Sequence, residues 1–265
     1  MQPKYITIGT GDPHIIVVGC LHGDEPLGRD VVEQLKTIEL QKGTLTLVVA
    51  HEAALARNVR FIETDMNRAF PGRPDGALEE RLAYELTPLL RSADCVVDIH
   101  TTRSAIDALL IITERTKNGD GVLAAIDVPK VAYIDRAHFG KGGMINEAQI
   151  GVSLEYGTAE ADPLSRAYTD VVSVLSHFGM TVGASDVHKE KELYTIVKAY
   201  SVPDGFVHNE AIRDFVPIRK GDQVGTVDGV PIIASESFYP LFVGNGRYTG
   251  TLALCADRTD ITLEV

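Results

Sequence analysis

Apolar runs alternate with amphipathic stretches through the first two thirds of the chain. Residues 15–19, Ile-Ile-Val-Val-Gly, are β-branched and stop at a glycine, the pattern of a strand buried on both faces. Residues 45–50, 95–99, 108–113, 131–134 and 152–155 repeat it. Between these runs, 28–35 carries helical spacing, 78–90 reads as a helix with Pro88 as a candidate kink, and 163–178 reads as an amphipathic helix ended by Gly179. Pro26 falls in the first turn of the first helix, where its missing N–H would be unpaired anyway. Strands that alternate with helices predict an α/β sandwich around a mostly parallel sheet.

The pattern changes near Ala184. From Lys191 onward, strand-like runs are punctuated by Pro203-Asp-Gly205, Lys220-Gly-Asp222, Asp228-Gly-Val-Pro231 and Gly244-Asn-Gly246, and no helical spacing is left. The expected division is a catalytic α/β domain over 1–185 and a small all-β domain over 186–265.

The 265 residues suffice for one large domain or a main domain with a small one, and 45% hydrophobic with 23% charged residues is an ordinary globular composition. No apolar run reaches the ~18 residues that span a bilayer, and Met-Gln-Pro-Lys-Tyr lacks the basic start of a secretory leader. Cys20, Cys95 and Cys255 are odd in number and far apart, which suits reduced thiols in the cytoplasm. A net charge of −12 argues against nucleic acid and against an anionic membrane as partners; a homo-oligomer stays open. One window runs the other way. Residues 57–73 hold Arg57, Arg60, Arg68 and Arg73 against Glu63 and Asp65, a local +2 that suits a small anionic substrate.

Three segments carry candidate metal chemistry. Gly-Cys-Leu-His22-Gly-Asp-Glu25 puts a His and a Glu three residues apart on a loop between a strand end and a helix start. Val-Val-Asp98-Ile-His100 places a His at the end of an apolar strand, where ligands collect in α/β sheets. A His₂Glu set leaves one tetrahedral position open, the arrangement of a hydrolytic zinc. The plain alternatives are a polar loop for His22 and Glu25 and a core-edge histidine for His100. Asp98 shares a strand face with His100 and either holds its second ring nitrogen or caps a neighbouring loop. Glu155 lies in Val-Ser-Leu-Glu-Tyr-Gly; burial would raise its pKa toward a general base, unless it pairs with an arginine. Asn67 and Arg68 offer a planar, multi-donor clamp for a carboxylate, unless the segment is simply an exposed basic loop.

Taken in order, Gly-x-x-His22-Gly-Asp-Glu25, Arg60-Phe-Ile-Glu-x-Asp65-Met-Asn67-Arg68-x-Phe70, Asp98-Ile-His100-Thr-Thr and Leu-Glu155-Tyr-Gly resemble the succinylglutamate desuccinylase/aspartoacylase family of zinc carboxypeptidase-like proteins. Tyr239-Pro-Leu-Phe-Val and Tyr248 extend the resemblance toward the C-terminus. It implies a carboxypeptidase-like α/β/α sandwich with a C-terminal β domain narrowing the cleft. It implies one Zn²⁺ on His22, Glu25 and His100, with Glu155 as general base. It also implies that Arg60 polarises the scissile carbonyl, that Asn67 and Arg68 hold a substrate carboxylate, and that Tyr248 reaches the substrate. Some members use a further basic residue upstream of the base, for which Arg136 and Lys141 are the candidates. Many members carry an Asn where this chain has His51. The expected activity is removal of an acyl group from a small N-acyl amino acid with a free carboxylate. A zinc carboxypeptidase acting on a peptide or peptidoglycan fragment is the alternative; a non-catalytic binding module would not need ligands, base and clamp together.

Overall fold

The computed structural model describes residues 3–138, 140–182, 187–244 and 250–265. In chain order its first half contains β1 (Lys4–Thr10), β2 (His14–Gly19), α1 (Leu27–Leu35), β3 (Gly43–Val49), α2 (Glu52–Arg57), α3 (Leu78–Arg91), β4 (Cys95–Thr101), β5 (Ala108–Ile112) and α4 (Lys117–Ala125). There follow β6 (Lys130–Tyr133), β7 (Gly151–Tyr156), α5 (Pro163–His177), β8 (Glu190–Ser201), β9 (Phe206–His208), β10 (Gln223–Val227), β11 (Val230–Ile233), β12 (Tyr239–Leu241) and β13 (Thr251–Thr262). Short 3₁₀ turns occupy Met66–Arg68 and Met144–Glu147.

Ten strands form one sheet in the order β1-β3-β2-β4-β7-β5-β6-β8-β13-β12. The predicted buried strands and helices are all present, and five of the nine pairings in the sheet are parallel, with antiparallel pairings at β1, at β5 and along β8-β13-β12. β3, β2, β4 and β7 run parallel, β5 is antiparallel to β7, and β13 is antiparallel to β8 and β12. The reversal at β5 has a simple cause. Only residues 102–107 separate β4 from β5, too short a link for a parallel crossover of a dozen or more residues.

Alternation along the strands divides the core into two layers. Ile15, Val17, Val97, Val152 and Leu154 face α1, α4 and α5, where Val31, Val122, Val171 and Val174 pack. Ile16, Val18, Val48 and Val96 face α3, where Leu82, Ala83, Leu86 and Leu90 pack. The result is an α/β/α sandwich. The C-terminal third contains no helix among the described residues. It continues the same sheet through β8, which pairs with β6 along one edge and β13 along the other. A separate three-stranded antiparallel sheet, β11-β10-β9, lies beside a second small core that includes Ile218, Val224, Phe238 and Leu252. Cys20, Cys95 and Cys255 are buried free thiols. No described helix is long and apolar enough to cross a membrane.

One close approach fixes the start of α1. A Cβ on Gly28 would stand 2.5 Å from the Gly19 Cα, so the helix can sit against the end of β2 only because both positions lack side chains. That contact aims the 20–26 loop, with His22 and Glu25, over the strand ends. Gly28→Ala should therefore cost about 1–3 kcal/mol by overpacking, read as a lower urea midpoint. A midpoint at or above that of the unaltered protein would contradict this packing.

Candidate active site

Three adjacent parallel strands deliver the chemistry at their carboxyl ends. His22 and Glu25 follow β2, His100 lies at the end of β4, and Glu155 lies at the end of β7 directly opposite His100 in the strand register. Asp98 and Ser153 form the preceding pair on the same face, the one that carries α3. All four residues of the His22, Glu25, His100 and Glu155 group are buried.

The hydrogen bonds around Glu25 define the site. His22 Nδ1 is 2.9 Å from Glu25 Oε1, and His100 Nδ1 is 2.9 Å from Glu25 Oε2. The outer ring nitrogens also face carboxylates: His22 Nε2 lies 3.1 Å from Asp65 Oδ1, and His100 Nε2 lies 2.6 Å from Asp98 Oδ2. Asp98 therefore holds the second nitrogen of His100, and Ser153 Oγ donates to the same carboxylate oxygen at 3.3 Å. Thr101 N–H and Arg60 Nη1 donate to Glu25 at 3.0 and 3.1 Å.

This donor set matches a cation. A neutral imidazole that gives its one proton to a carboxylate through Nε2 has only a lone pair at Nδ1, and an ionised carboxylate has only lone pairs. Two such nitrogens facing one carboxylate repel it unless positive charge is shared among them, either as extra ring protons or as a metal ion. The ligand atoms of His22, Glu25 and His100 all lie within 4.8 Å of one another, so the three could hold one ion. Asp65 and Asp98 are placed as partners that orient metal-binding imidazoles.

Charge bias follows the same geometry. Burial works against ionised Glu25, but charge and hydrogen bonds from His100 and His22 outweigh it and hold the carboxyl well below its usual range. Burial likewise disfavours charged His100, and Asp98 and Glu25 outweigh it and push the imidazole well above its usual value. Asp65 is lowered because His22 and Arg60 more than offset its burial.

The site opens into a solvent-connected cavity lined by His22, Arg60, Asn67, Arg68, His100 and Glu155, and also by Phe242, Thr251, Ala253 and Leu254 from the C-terminal third. Arg60 spans Glu25 and Asp65, donating to Asp65 Oδ2 through Nε at 3.2 Å and Nη2 at 2.9 Å. The Asn67 side-chain oxygen accepts from Met144 N–H at 2.9 Å, which leaves its NH₂ as the group it can turn to a carboxylate. Arg68 is exposed at the rim and donates to Asn67 O at 2.6 Å. Thus the structure gathers His22, Glu25, His100, Glu155, Arg60, Asn67 and Arg68 in one place. Tyr248 lies outside the described residues. Arg136 pairs with Glu114 at 2.8 Å, Lys141 is exposed, and neither lines this cavity.

Two contributors escape a reading of the sequence by motif. Asp65 sits in a motif yet acts by joining His22 to Arg60. Glu79 sits in no motif. Its fully buried carboxylate accepts the backbone N–H groups of Ile62 (2.6 Å), Glu63 (3.1 Å) and Thr64 (3.1 Å), and pairs with His51 Nε2 at 3.0 Å. Burial opposes its ionisation, but the bonds from His51 and the loop amides prevail and lower its pKa. His51 Nδ1 accepts from Ala54 N–H, capping α2, so its proton is on Nε2 and points at Glu79. The sequence signal for Glu79 is an acid on the apolar stripe of α3, in register with Leu82, Ala83, Leu86 and Leu90.

Comparison with known proteins places the chain among related sequences and folds. The family profile of the succinylglutamate desuccinylase/aspartoacylase catalytic domain matches residues 12–174. An N-acyl-aromatic-L-amino acid amidohydrolase (carboxylate-forming) of Xenopus laevis is 22% identical, over 88% of this chain and 90% of the relative. An N-alpha-acetyl-L-2,4-diaminobutyric acid deacetylase of Halomonas elongata is 23% identical, over 69% of this chain and 59% of the relative. The crystal structure of murine aminoacylase 3 superposes with a TM-score of 0.79 at 20% identity, over 96% of this chain and 98% of that one, and so has the same fold.

Glu79 is the point at which the loop carrying Arg60 and Asp65 can be loosened without touching the cavity. Glu79→Gln turns an amide donor toward backbone N–H groups. It should cost about 2 kcal/mol or more, since hydrogen bonds to a charged group contribute ~1.5–3 kcal/mol each. In the folded fraction it should also weaken divalent-metal binding, measured by competition with a chromophoric chelator. Unchanged stability and unchanged metal affinity together would exclude this support.

Proposed function

The chain belongs to the succinylglutamate desuccinylase/aspartoacylase family, and on that premise we propose that it is a zinc-dependent amidohydrolase. It removes the acyl group from a small N-acyl amino acid that carries a free carboxylate. The observation that carries this reading is the convergence of two imidazole nitrogens on the Glu25 carboxylate, with Glu155 one strand away in the same cavity. The deacylase and amidohydrolase names of the relatives support the amide of an N-acyl amino acid over a peptide bond.

His22, Glu25 and His100 would hold the ion. Zinc bound by such a set acts as a Lewis acid and brings the pKa of a bound water to about 7. Glu155 takes the proton from the attacking water and returns it to the leaving amine nitrogen. The C–N bond breaks as the carboxylate of the acyl group forms. Arg60, already beside Glu25, presents its guanidinium to the negative charge that develops on the carbonyl oxygen. Asn67 and Arg68 hold the substrate carboxylate at the cavity rim and so bring the amide over the strand ends.

Two outcomes follow. Glu155→Gln keeps the shape but cannot accept the proton, so turnover should fall by roughly 10²- to 10⁴-fold with fold and metal content retained. Near-normal kcat in a folded, zinc-loaded variant would remove Glu155 from the reaction. Second, amidating the substrate carboxylate and Arg68→Met should each cost about 10²-fold in kcat/KM, and together little more than either alone, because they break one contact. A screen of N-acyl amino acids against short peptides, with and without a zinc chelator, tests the reading as a whole. Chelator-sensitive release of free amino acids supports it; faster cleavage of peptides than of every acyl amino acid replaces it with a carboxypeptidase.

A further inference from the structure

Among the described residues, the rest of the cavity lining is mainly apolar, with Ile111, Ile134, Ile145, Phe242, Ala253 and Leu254 beside four hydroxyl side chains and two glycines. We propose that this apolar compartment receives the amino acid's own side chain, and that the enzyme prefers N-acyl amino acids with uncharged, apolar side chains over those with a second carboxylate. The inference rests on the deacylase reading and specifies its substrate class.

Three observations carry it. First, Ile111, Ile134, Phe242 and Leu254 pack on the apolar cluster of Leu109, Ala132, Tyr194, Leu241 and Ala256 and yet stay only partly buried. All four also line the cavity. Second, Phe242 has a φ of 60°, in the left-handed region that bulky residues seldom adopt. Strain of that kind persists where the surrounding structure holds a side chain at a working position. Third, the clamp and the compartment are joined. Met144 N–H donates to the Asn67 side chain, and the next residue, Ile145, is in the wall. In an N-acyl amino acid the carboxylate, the side chain and the amide nitrogen are borne by the same carbon. With the carboxylate held by Asn67 and Arg68 and the amide turned to the metal donors, the side chain is the group left to meet Ile145.

The chain segment upstream of Glu155 holds Arg136 and Lys141, the candidates for a further basic residue. There it presents Ile134 and Ile145 to the cavity, while Arg136 is engaged with Glu114. A carboxylate set against this wall would lose its hydration, whereas an apolar side chain gains by leaving water.

The test compares kcat/KM of the zinc-loaded enzyme for N-acetyl-leucine, N-acetyl-methionine and N-acetyl-phenylalanine with N-acetyl-aspartate and N-acetyl-glutamate. The apolar series should lead by about 10²-fold. A second arm holds leucine fixed and varies the acyl group from acetyl to benzoyl; rates should change less across this arm than across the side-chain arm. Ile145→Arg and Leu254→Asp, each checked for a cooperative thermal transition, should lower the rate on N-acetyl-phenylalanine by about 10-fold or more, and Ile145→Arg should also narrow the gap to N-acetyl-aspartate. If neither variant folds, the two substrate arms decide. Acidic substrates cleaved as fast as apolar ones, or rates governed by the acyl group alone, would overturn the compartment's assignment while leaving the deacylase reading intact. Hydrolysis of no N-acyl amino acid would overturn the deacylase reading and this inference with it.

Discussion

The Glu25 carboxylate faces two imidazole nitrogens across the ends of two strands, and the rest of the site is arranged around that contact. Three groups that carry lone pairs are brought together out of water, where an isolated charge is costly and an unpaired one more so. Positive charge must be shared among them. The outer carboxylates Asp65 and Asp98 add to the demand, because a ring proton given to either one leaves a lone pair on the nitrogen that faces Glu25. A sheet that places β2, β4 and β7 side by side makes this geometry available, since the loop after β2 carries His22 while His100 and Glu155 stand opposite one another on β4 and β7.

What surrounds the centre comes from distant parts of the chain. Glu79 on α3 gathers three consecutive loop amides and so fixes the segment that carries Arg60 and Asp65. Met144 ties Asn67 to the turn that precedes β7. The continuation of the central sheet through β8 to β13 brings Ala253 and Leu254 to the cavity that His22 opens into. The reacting centre and the surface that would select substrates are thus parts of one sheet.

Much of this was legible in the sequence, for reasons that can be named. Apolar β-branched runs located the central strands because both of their faces are buried. His22 and Glu25 could be paired because three residues on one turn bring two side chains together, and His100 stood out as a polar end to an apolar run. Other features depend on pairing across the chain. β8 is long and regular, but nothing local says that its partners are β6 on one side and β13 on the other. The reversal of β5 has its signal in the six residues after Thr101, too few for a parallel crossover. α2 leaves little periodic signal because it has only six residues, and α4 because two of its nine are glycines. The role of Asp65 and Glu79 is a matter of what lies opposite them, which motif spacing does not record. Arg136 and Lys141 were plausible by charge, but the structure turns one to Glu114 and leaves the other exposed outside the cavity lining.

The central claim is that His22, Glu25 and His100 hold one zinc ion. X-ray absorption at the zinc edge, on protein purified without added chelator, tests it most directly. The account predicts one zinc per chain, with two imidazole nitrogens at ~2.0–2.1 Å and the remaining ligands oxygen. Sulfur in the first coordination sphere, a single imidazole, or a protein that binds no zinc when the metal is supplied would contradict it.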